Sequence, residues 1–358
     1  MPLLPVLFLA LIPYLGGKRK LISWIFGHLA QTIPCADWPH QIFADAFAGG
    51  GAVSLFAKTQ PFQVVVANDH APRVQIVMQA VLANSSRRLT RAHLLYLNQP
   101  LPEGVGPGIA ESHYCSSVLS RRHAQAMDRW CYWANQVQDP TLHALLKLLI
   151  WHCLAQFICM PTSINASNRP YADALDGVRS WDTINPKRFQ DQSLDSLLKP
   201  TWTCLEEKMT VINRGIFRGA PVTLSQQDAL TFVQGLEASI LYLDPPYADT
   251  CSYERSFAVV DHLLCGQSMD TVSRFSKSVA PLDDLLDQAG HIETWLLSYH
   301  NKVLDLEALT ALVKRHAGNR VVQGFAKSYK HLAHVSKSSS NKELLVIASS
   351  KRKVISYV

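Results

Sequence analysis

At 358 residues and 48% hydrophobic, the chain is long enough to bury one large core and still carry a second, smaller lobe. A formal charge of +6 is compatible with a polyanionic partner without requiring one. The eight cysteines include no CxxC pair and the fourteen histidines no HExxH, which excludes a zinc site or disulfide framework as the organising feature and makes a reducing cytoplasm the expectation.

Leu3 to Ile12 is apolar but too short to span a bilayer. It contains Pro5 and has neither a preceding basic region nor a convincing cleavage site. Tyr14 to Ile25, YLGGKRKLISWI, reads as a glycine pair, Gly16 and Gly17, feeding a helix that opens with basic residues. Such a start can set Lys18 beside an anion and Tyr14 against a flat ring; the alternative is an ordinary solvated lysine. Ile42 to Phe47 is predicted as a short buried strand, Gly49, Gly50 and Gly51 as a turn, and Ala52 to Lys58 as the start of a helix. Phe62 to Ala67 is a second β-rich run, so a parallel α/β sheet opens here. In FADAFAGGGAVSL, which holds Asp45 and Phe47, glycines let a ligand approach the backbone while the helix amino terminus offers N–H groups to a carboxylate. The string is not GxGxxG. Asp69 follows the second strand, where an acid can accept both ribose hydroxyls of an adenosine ligand or cap a helix.

Between Asn84 and Gln227 helical spacing dominates and tryptophans appear at 130, 133, 151, 181 and 202. We divide the chain into 1–83, the first part of a catalytic domain; 84–223, a mainly helical insert; and 224–358, the remainder of the catalytic domain. Thr141 to Met160 is long enough to cross a bilayer, yet Lys147, His152 and Gln156 interrupt it, and a buried helix is expected. Residues 84–227 hold fifteen Lys or Arg against eleven Asp or Glu, which is +4 of the net +6. Clusters such as Arg121 and Arg122 can contact phosphates, or form solvated faces. Pro161 to Tyr171, PTSINASNRPY, offers Asn165, Asn168 and Arg169 to base edges, unless it is an ordinary polar connection.

Asp228, in LSQQDAL, can accept a hydrogen bond from an adenine amino group or cap a helix. The β pattern then returns as ILYLD at Ile240, as IETWLLSYH at Ile292, and as paired runs at Arg320 to Phe325 and Glu343 to Ala348 that predict a closing antiparallel hairpin. The basic loop between those runs makes Lys330 and Lys337 candidate phosphate contacts.

The strongest chemical signal is Asp244-Pro245-Pro246-Tyr247, placed directly after the strand Ile240 to Leu243, where α/β sheets bind ligands. An exocyclic amine on a purine is a poor nucleophile, because its lone pair is delocalised into the ring. The Asp244 carboxylate and the Pro245 carbonyl can each accept one N–H and stabilise the charge the nitrogen gains. The prolines fix φ, and Tyr247 offers an aromatic face for an extracted base. The plain alternative is a turn that ends a strand.

Together YLGGK, FADAFAGGG, AND, Asp228, LDPPY, LLSYHN and NKELLVI resemble the Dam-like, alpha-group N6-adenine DNA methyltransferases, over roughly residues 12 to 69 and 224 to 348. The resemblance implies an α/β fold: a Rossmann-like methyltransferase sheet of about seven strands with a helical DNA-recognition insert. It implies that Tyr14, Gly17, Lys18, the Asp45 to Gly51 loop, Asp69 and Asp228 hold S-adenosylmethionine. Asp244 to Tyr247 would hold the target adenine and complete the cofactor pocket. The implied partner is double-stranded DNA, with a cognate restriction endonuclease where the protein belongs to a restriction-modification system; the implied setting is the cytoplasm, the protein being prokaryotic or phage-encoded, with neither metal nor membrane. Tyr14 stands where many members carry tryptophan, Asp261 to Gly290 is longer than usual, and the insert does not match the recognition domain of Dam itself. Two rival readings are an acceptor in RNA or a protein amide, and a catalytically silent nucleic-acid-binding relative. The first usually brings Asn at the start of the loop, and intact DPPY and GGG oppose the second.

Overall fold

Seven short runs rich in Val, Ile and Leu pair into one sheet: β1 (Ile42–Asp45), β2 (Val64–Asn68), β3 (Val222–Ser225), β4 (Ile240–Leu243), β5 (Thr294–His300), β6 (Val321–Ser328) and β7 (Lys342–Ser349). The computed structural model describes residues 4–12, 14, 16–115, 119–157, 200–248, 253–266, 273–328 and 341–350. Asn165, Asn168, Arg169, Lys330 and Lys337 lie outside them. The sheet order is β3-β2-β1-β4-β5-β7-β6. The first five strands in that order run parallel, and β7 lies antiparallel between β5 and β6. This is the seven-stranded α/β architecture with a closing antiparallel hairpin that the sequence implied. Every residue of β4 and β5 is buried, as expected of strands covered on both faces.

One face packs Leu241, Leu243, Trp295, Leu297 and Val346 against Phe232, Leu285, Leu286 and Leu309 from helices Ala229–Gln234, Pro281–Gln288 and Leu306–His316. On the other, Phe26 of helix Ile22–Thr32 meets Phe43 of β1, ring centroids 5.5 Å apart, and Phe56 of helix Ala52–Thr59 at 4.4 Å. The chain moves outward from β1 to β2 and β3, then returns to lay β4 beside β1. The carboxyl ends of β1 and β4 therefore sit at the point where the strand order reverses, the usual ligand crevice of such sheets.

Strand β3 is a correction to the sequence reading, which carried the helical pattern as far as Gln227 and so over the whole of this strand. VTLS is a four-residue edge strand with no buried residue, so it lacks the apolar run that announces a strand; its pairing with β2 reveals it.

The chain divides into two compact units. One, carrying the sheet, comprises the described residues of 16–74, 219–252 and 272–358. The other is helical and comprises those of 1–15, 75–218 and 253–271. Its helix Pro140–Phe157 is buried on almost every side. The polar interruptions find partners there: Lys147 Nζ donates to the Leu264 carbonyl at 2.9 Å, and His152 Nε2 lies 3.0 Å from the Ala10 carbonyl oxygen. No helix among the described residues is long and apolar enough to cross a membrane.

Candidate active site

Asp45 ends β1 and Asp244 follows β4 by one residue, and the register that pairs Asp45 with Tyr242 brings the two acids to the same end of neighbouring strands. Asp45 is 1% exposed and accepts from Ser54 Oγ at 2.6 Å and from the Phe47 N–H at 3.2 Å. Burial pushes its carboxyl up to about 7 against the pull of the Ser54 hydroxyl, and Asp244 adds to the rise.

Between β1 and helix Ala52–Thr59 the chain turns through Gly49 at φ 49° and Gly51 at φ 77°, conformations that side chains with a Cβ rarely adopt. Gly50 lies between them in the same turn. Asp69 supports this loop from the end of β2: Oδ2 accepts the Gly49 N–H at 2.8 Å and Oδ1 the Ala71 N–H at 2.9 Å. Burial raises its pKa, and those two backbone donors oppose the rise. Asn68, which the sequence reading left without a role, is 1% exposed and bonds to the Ala46 carbonyl and to both the N–H and carbonyl of Gln227. It thereby ties the glycine loop to the segment that carries Asp228. Asp228 is the amino cap of helix Ala229–Gln234, accepting the Leu230 N–H at 3.0 Å, and its other oxygen meets Arg274 at 3.1 Å. Phe47 packs edge-on to Phe275, centroids 5.2 Å apart.

The residues of the Asp244 loop gather around Lys18. Its Nζ, with the residue 3% exposed, lies 2.9 Å from Asp244 Oδ1, 3.4 Å from Glu343 Oε1 and 2.9 Å from the Gly16 carbonyl, and stands 5.0 Å from the Tyr247 ring centroid. Burial alone would lower the lysine pKa, but the two carboxylates outweigh it and the net shift is upward. Asp244 keeps 18% of its side chain exposed. Burial raises its pKa, with Lys18 acting against the rise. Among the described residues, neither Asp244 Oδ2 nor the Pro245 carbonyl makes a hydrogen bond, so two adjacent acceptors remain available at the strand end.

The Tyr247 hydroxyl lies between two acids, 2.8 Å from Glu343 Oε1 and 3.2 Å from Asp244 Oδ1. Its ring, 5% exposed, is flanked edge-on by Tyr299 and His300 of β5. The LLSYHN strand also props the loop through its backbone: the Ala248 N–H donates to the Tyr299 hydroxyl at 3.0 Å, and Tyr242 donates to Ser298 Oγ at 2.9 Å. Glu343 was not among the residues chosen from sequence, although a lone acid in NKELLVI, a run otherwise suited to a buried strand, was a usable signal.

Three of the described sequence candidates, Tyr14, Arg121 and Arg122, belong to the helical unit. Tyr14 stacks on Phe257 with centroids 4.7 Å apart and planes 17° from parallel. Arg121 and Arg122 are exposed in the first turn of helix Arg121–Asn135, which Ser120 caps by accepting the His123 N–H. Gly17 precedes Lys18 in the sheet unit. No group of three or more His, Cys, Asp or Glu placed to hold a metal occurs among the described residues.

Residues 14–103 match the D12 class N6 adenine-specific DNA methyltransferase family. The chain is 21% identical over 345 residues to the type II methyltransferase M2.HphI of Haemophilus parahaemolyticus, an alignment covering 94% of this chain and 97% of that protein. It is 22% identical over 344 residues to the modification methylase LlaI of Lactococcus lactis subsp. lactis, covering 88% of this chain and 51% of that one. The type II methyltransferase M.NlaIII of Neisseria lactamica shares 24% identity over 246 residues, 65% of this chain and 64% of its own.

Proposed function

We propose, from the match of residues 14–103 to the D12 class N6 adenine-specific DNA methyltransferases and the likeness to type II methyltransferases, that the crevice between β1 and β4 transfers a methyl group from S-adenosylmethionine to an adenine flipped out of double-stranded DNA. The reaction class, methylation of adenine N6 in DNA, is that of the family. The cofactor, the role of each residue and the extrahelical base are our reading of the site.

The donor set fits such a cofactor. The Gly49 to Gly51 turn exposes backbone between a strand and a helix amino terminus, suited to a carboxylate. Asp69 stands at the end of β2 where a ribose would lie, and Asp228 with Phe47 and Phe275 provides a polar group and aromatic edges for an adenine ring. Bound S-adenosylmethionine supplies an electrophilic methyl on a sulfonium.

The observation that carries the proposal is the pair of available acceptors at Asp244 Oδ2 and Pro245 O, beside a carboxylate whose other oxygen is held by Lys18. Each acceptor takes one N–H of the adenine amine, drawing the nitrogen towards tetrahedral geometry and freeing its lone pair. With N6 held in this way, its lone pair would be free to take the methyl that the bound cofactor would supply, and the surplus proton would pass from N6 to solvent. Asp244 offsets the positive charge on N6 while Lys18 keeps the acid ionised and oriented. Stacking of the base on Tyr247 requires the ring's present neighbours to yield, since 5% exposure leaves little face uncovered.

Arg121 and Arg122 support a phosphate contact on the helical unit. Two exposed cations in a helix's first turn present positive charge that a phosphate can neutralise. Asn165, Asn168 and Arg169 remain the proposed base readers, with Lys330 and Lys337 as further phosphate contacts. A restriction endonuclease of the same system as partner and a cytoplasmic location belong to the same proposal. Expression in a host lacking adenine methylation, followed by modification-sensitive sequencing of its genome, tests the reading. N6-methyladenine at one short sequence is expected, and an unmodified genome would overturn it.

A further inference from the structure

Glu343 takes no part in the transfer chemistry above, yet its side chain is fully buried and it stands beside the catalytic loop. It is the second residue of β7, paired with His300 of β5 and Lys327 of β6, and five apolar residues follow it. An acid in such a strand is costly to desolvate, and an apolar residue of similar volume would pack there at no such cost. Two of its contacts belong to the machinery that receives the base. Its Oε1 accepts the Tyr247 hydroxyl at 2.8 Å and approaches Lys18 Nζ at 3.4 Å.

We propose that Glu343 is a positioning residue for methyl transfer, holding the Tyr247 hydroxyl and sharing Lys18 with Asp244 so that the ring and the carboxylate of the loop are oriented before the base arrives. The inference rests on the reading of Asp244 to Tyr247 as the adenine-holding loop. A tyrosine hydroxyl has one proton to give, and the shorter contact assigns it to Glu343. Asp244 Oδ1 is then left to Lys18, and Oδ2 to the incoming amine. Without Glu343, that hydroxyl proton would turn to Asp244 and compete with the amine for its lone pairs. The β7 carboxylate thus keeps the reacting acid from being satisfied internally. Burial pushes the Glu343 carboxyl up to about 7 despite Lys18, as expected when two buried acids share one ammonium.

The test compares Glu343→Gln, Glu343→Leu, Tyr247→Phe and the Glu343→Leu/Tyr247→Phe double variant in the full chain. The substrates are S-adenosylmethionine and a duplex bearing the sequence that the wild-type protein modifies in a methylation-free host. Glu343→Leu is expected to lower kcat about 100-fold with KM for the cofactor within about twofold, the loss typical of a misplaced catalytic group. Glu343→Gln, which keeps an acceptor for the hydroxyl, is expected to recover about tenfold of that loss. Because Glu343 acts through Tyr247, the double variant is expected to lose little more than the worse single one. Wild-type kcat in folded Glu343→Leu, equal damage to cofactor KM, or additive losses in the double variant would each overturn the proposal. If Glu343→Leu does not fold, Glu343→Gln combined with Tyr247→Phe decides by the same criterion. A wild-type protein that modifies no duplex would instead refute the underlying reading of the loop.

Discussion

The Lys18 ammonium lies 2.9 Å from Asp244 Oδ1, so the lysine of YLGGK is bound to the acid of DPPY across the sheet unit. Lys18→Met leaves Asp244 and Glu343 buried without their cation. Breaking a buried ion pair in this way costs about 3–5 kcal/mol of stability. Lys18 opposes the burial that raises the Asp244 pKa, so its loss raises that pKa further. Activity that needs ionised Asp244 falls as pH drops through this value, and the acid limb of kcat/KM should therefore move to higher pH in the variant. An acid limb at the wild-type position would show that Lys18 does not tune Asp244.

Asp244→Asn puts an amide where the amine's acceptor should be and removes the charge facing N6. Loss of one preorganised partner of a developing charge costs about 10²–10³ in kcat. Single-turnover methylation at saturating cofactor should show that fall, with the circular dichroism spectrum and DNA affinity unchanged. Near-normal turnover by the folded variant would remove Asp244 from the mechanism.

Asp69→Ala removes both the proposed ribose acceptor and the support of the Gly49 N–H at 2.8 Å. Cofactor affinity should weaken at least about tenfold, on the scale of a charged hydrogen bond lost. Duplex affinity should hold. Calorimetry with S-adenosylmethionine and separately with DNA makes the comparison, and equal losses on both would contradict the assignment.

Burial raises the carboxyls of Asp45 and Glu343 from ordinary values to about 7. Each then binds more protons folded than unfolded between about pH 4 and pH 7, so stability declines as pH rises through that window. The groups facing Glu343 are Lys18, Asp244 and Tyr247, with His300 and Lys327 beside it in register, and those facing Asp45 are Asp244 and Asp69. Melting temperature should therefore be lower at pH 8 than at pH 5.5. Glu343→Gln should recover part of the loss while lowering kcat. A variant less stable than wild type at pH 8 would indicate that the ionised acid contributes to the fold.

Arg121→Gln and Arg122→Gln should weaken binding to cognate and scrambled duplexes alike. Each should reduce the slope of log K against log salt by about 1. Binding isotherms at several salt concentrations provide the measurement, and an unchanged slope would move the DNA path away from this helix.

The sequence by itself determined what depends on neighbouring residues. The turn after β1 requires Gly49 and Gly51, whose positive φ values little else adopts; the apolar run of β4 stops at Leu243; and Pro245 and Pro246 stiffen the loop that follows. These local constraints made the parallel sheet, the closing hairpin and the order of the motifs legible. Tertiary structure decided which groups meet. Lys18, Tyr247 and Glu343 come together only because β7 inserts between β5 and β6 and its register carries residue 343 to the end of β4's neighbour. Asp69 spends both oxygens on backbone N–H groups, and Asn68 reaches Gln227, through contacts spanning up to 159 positions in the chain. Strand β3 exists through its pairing with β2, since an edge strand without a buried run has no periodicity to read. Side-chain pairing across a sheet depends on register, and register is a property of the assembled strands rather than of any one of them.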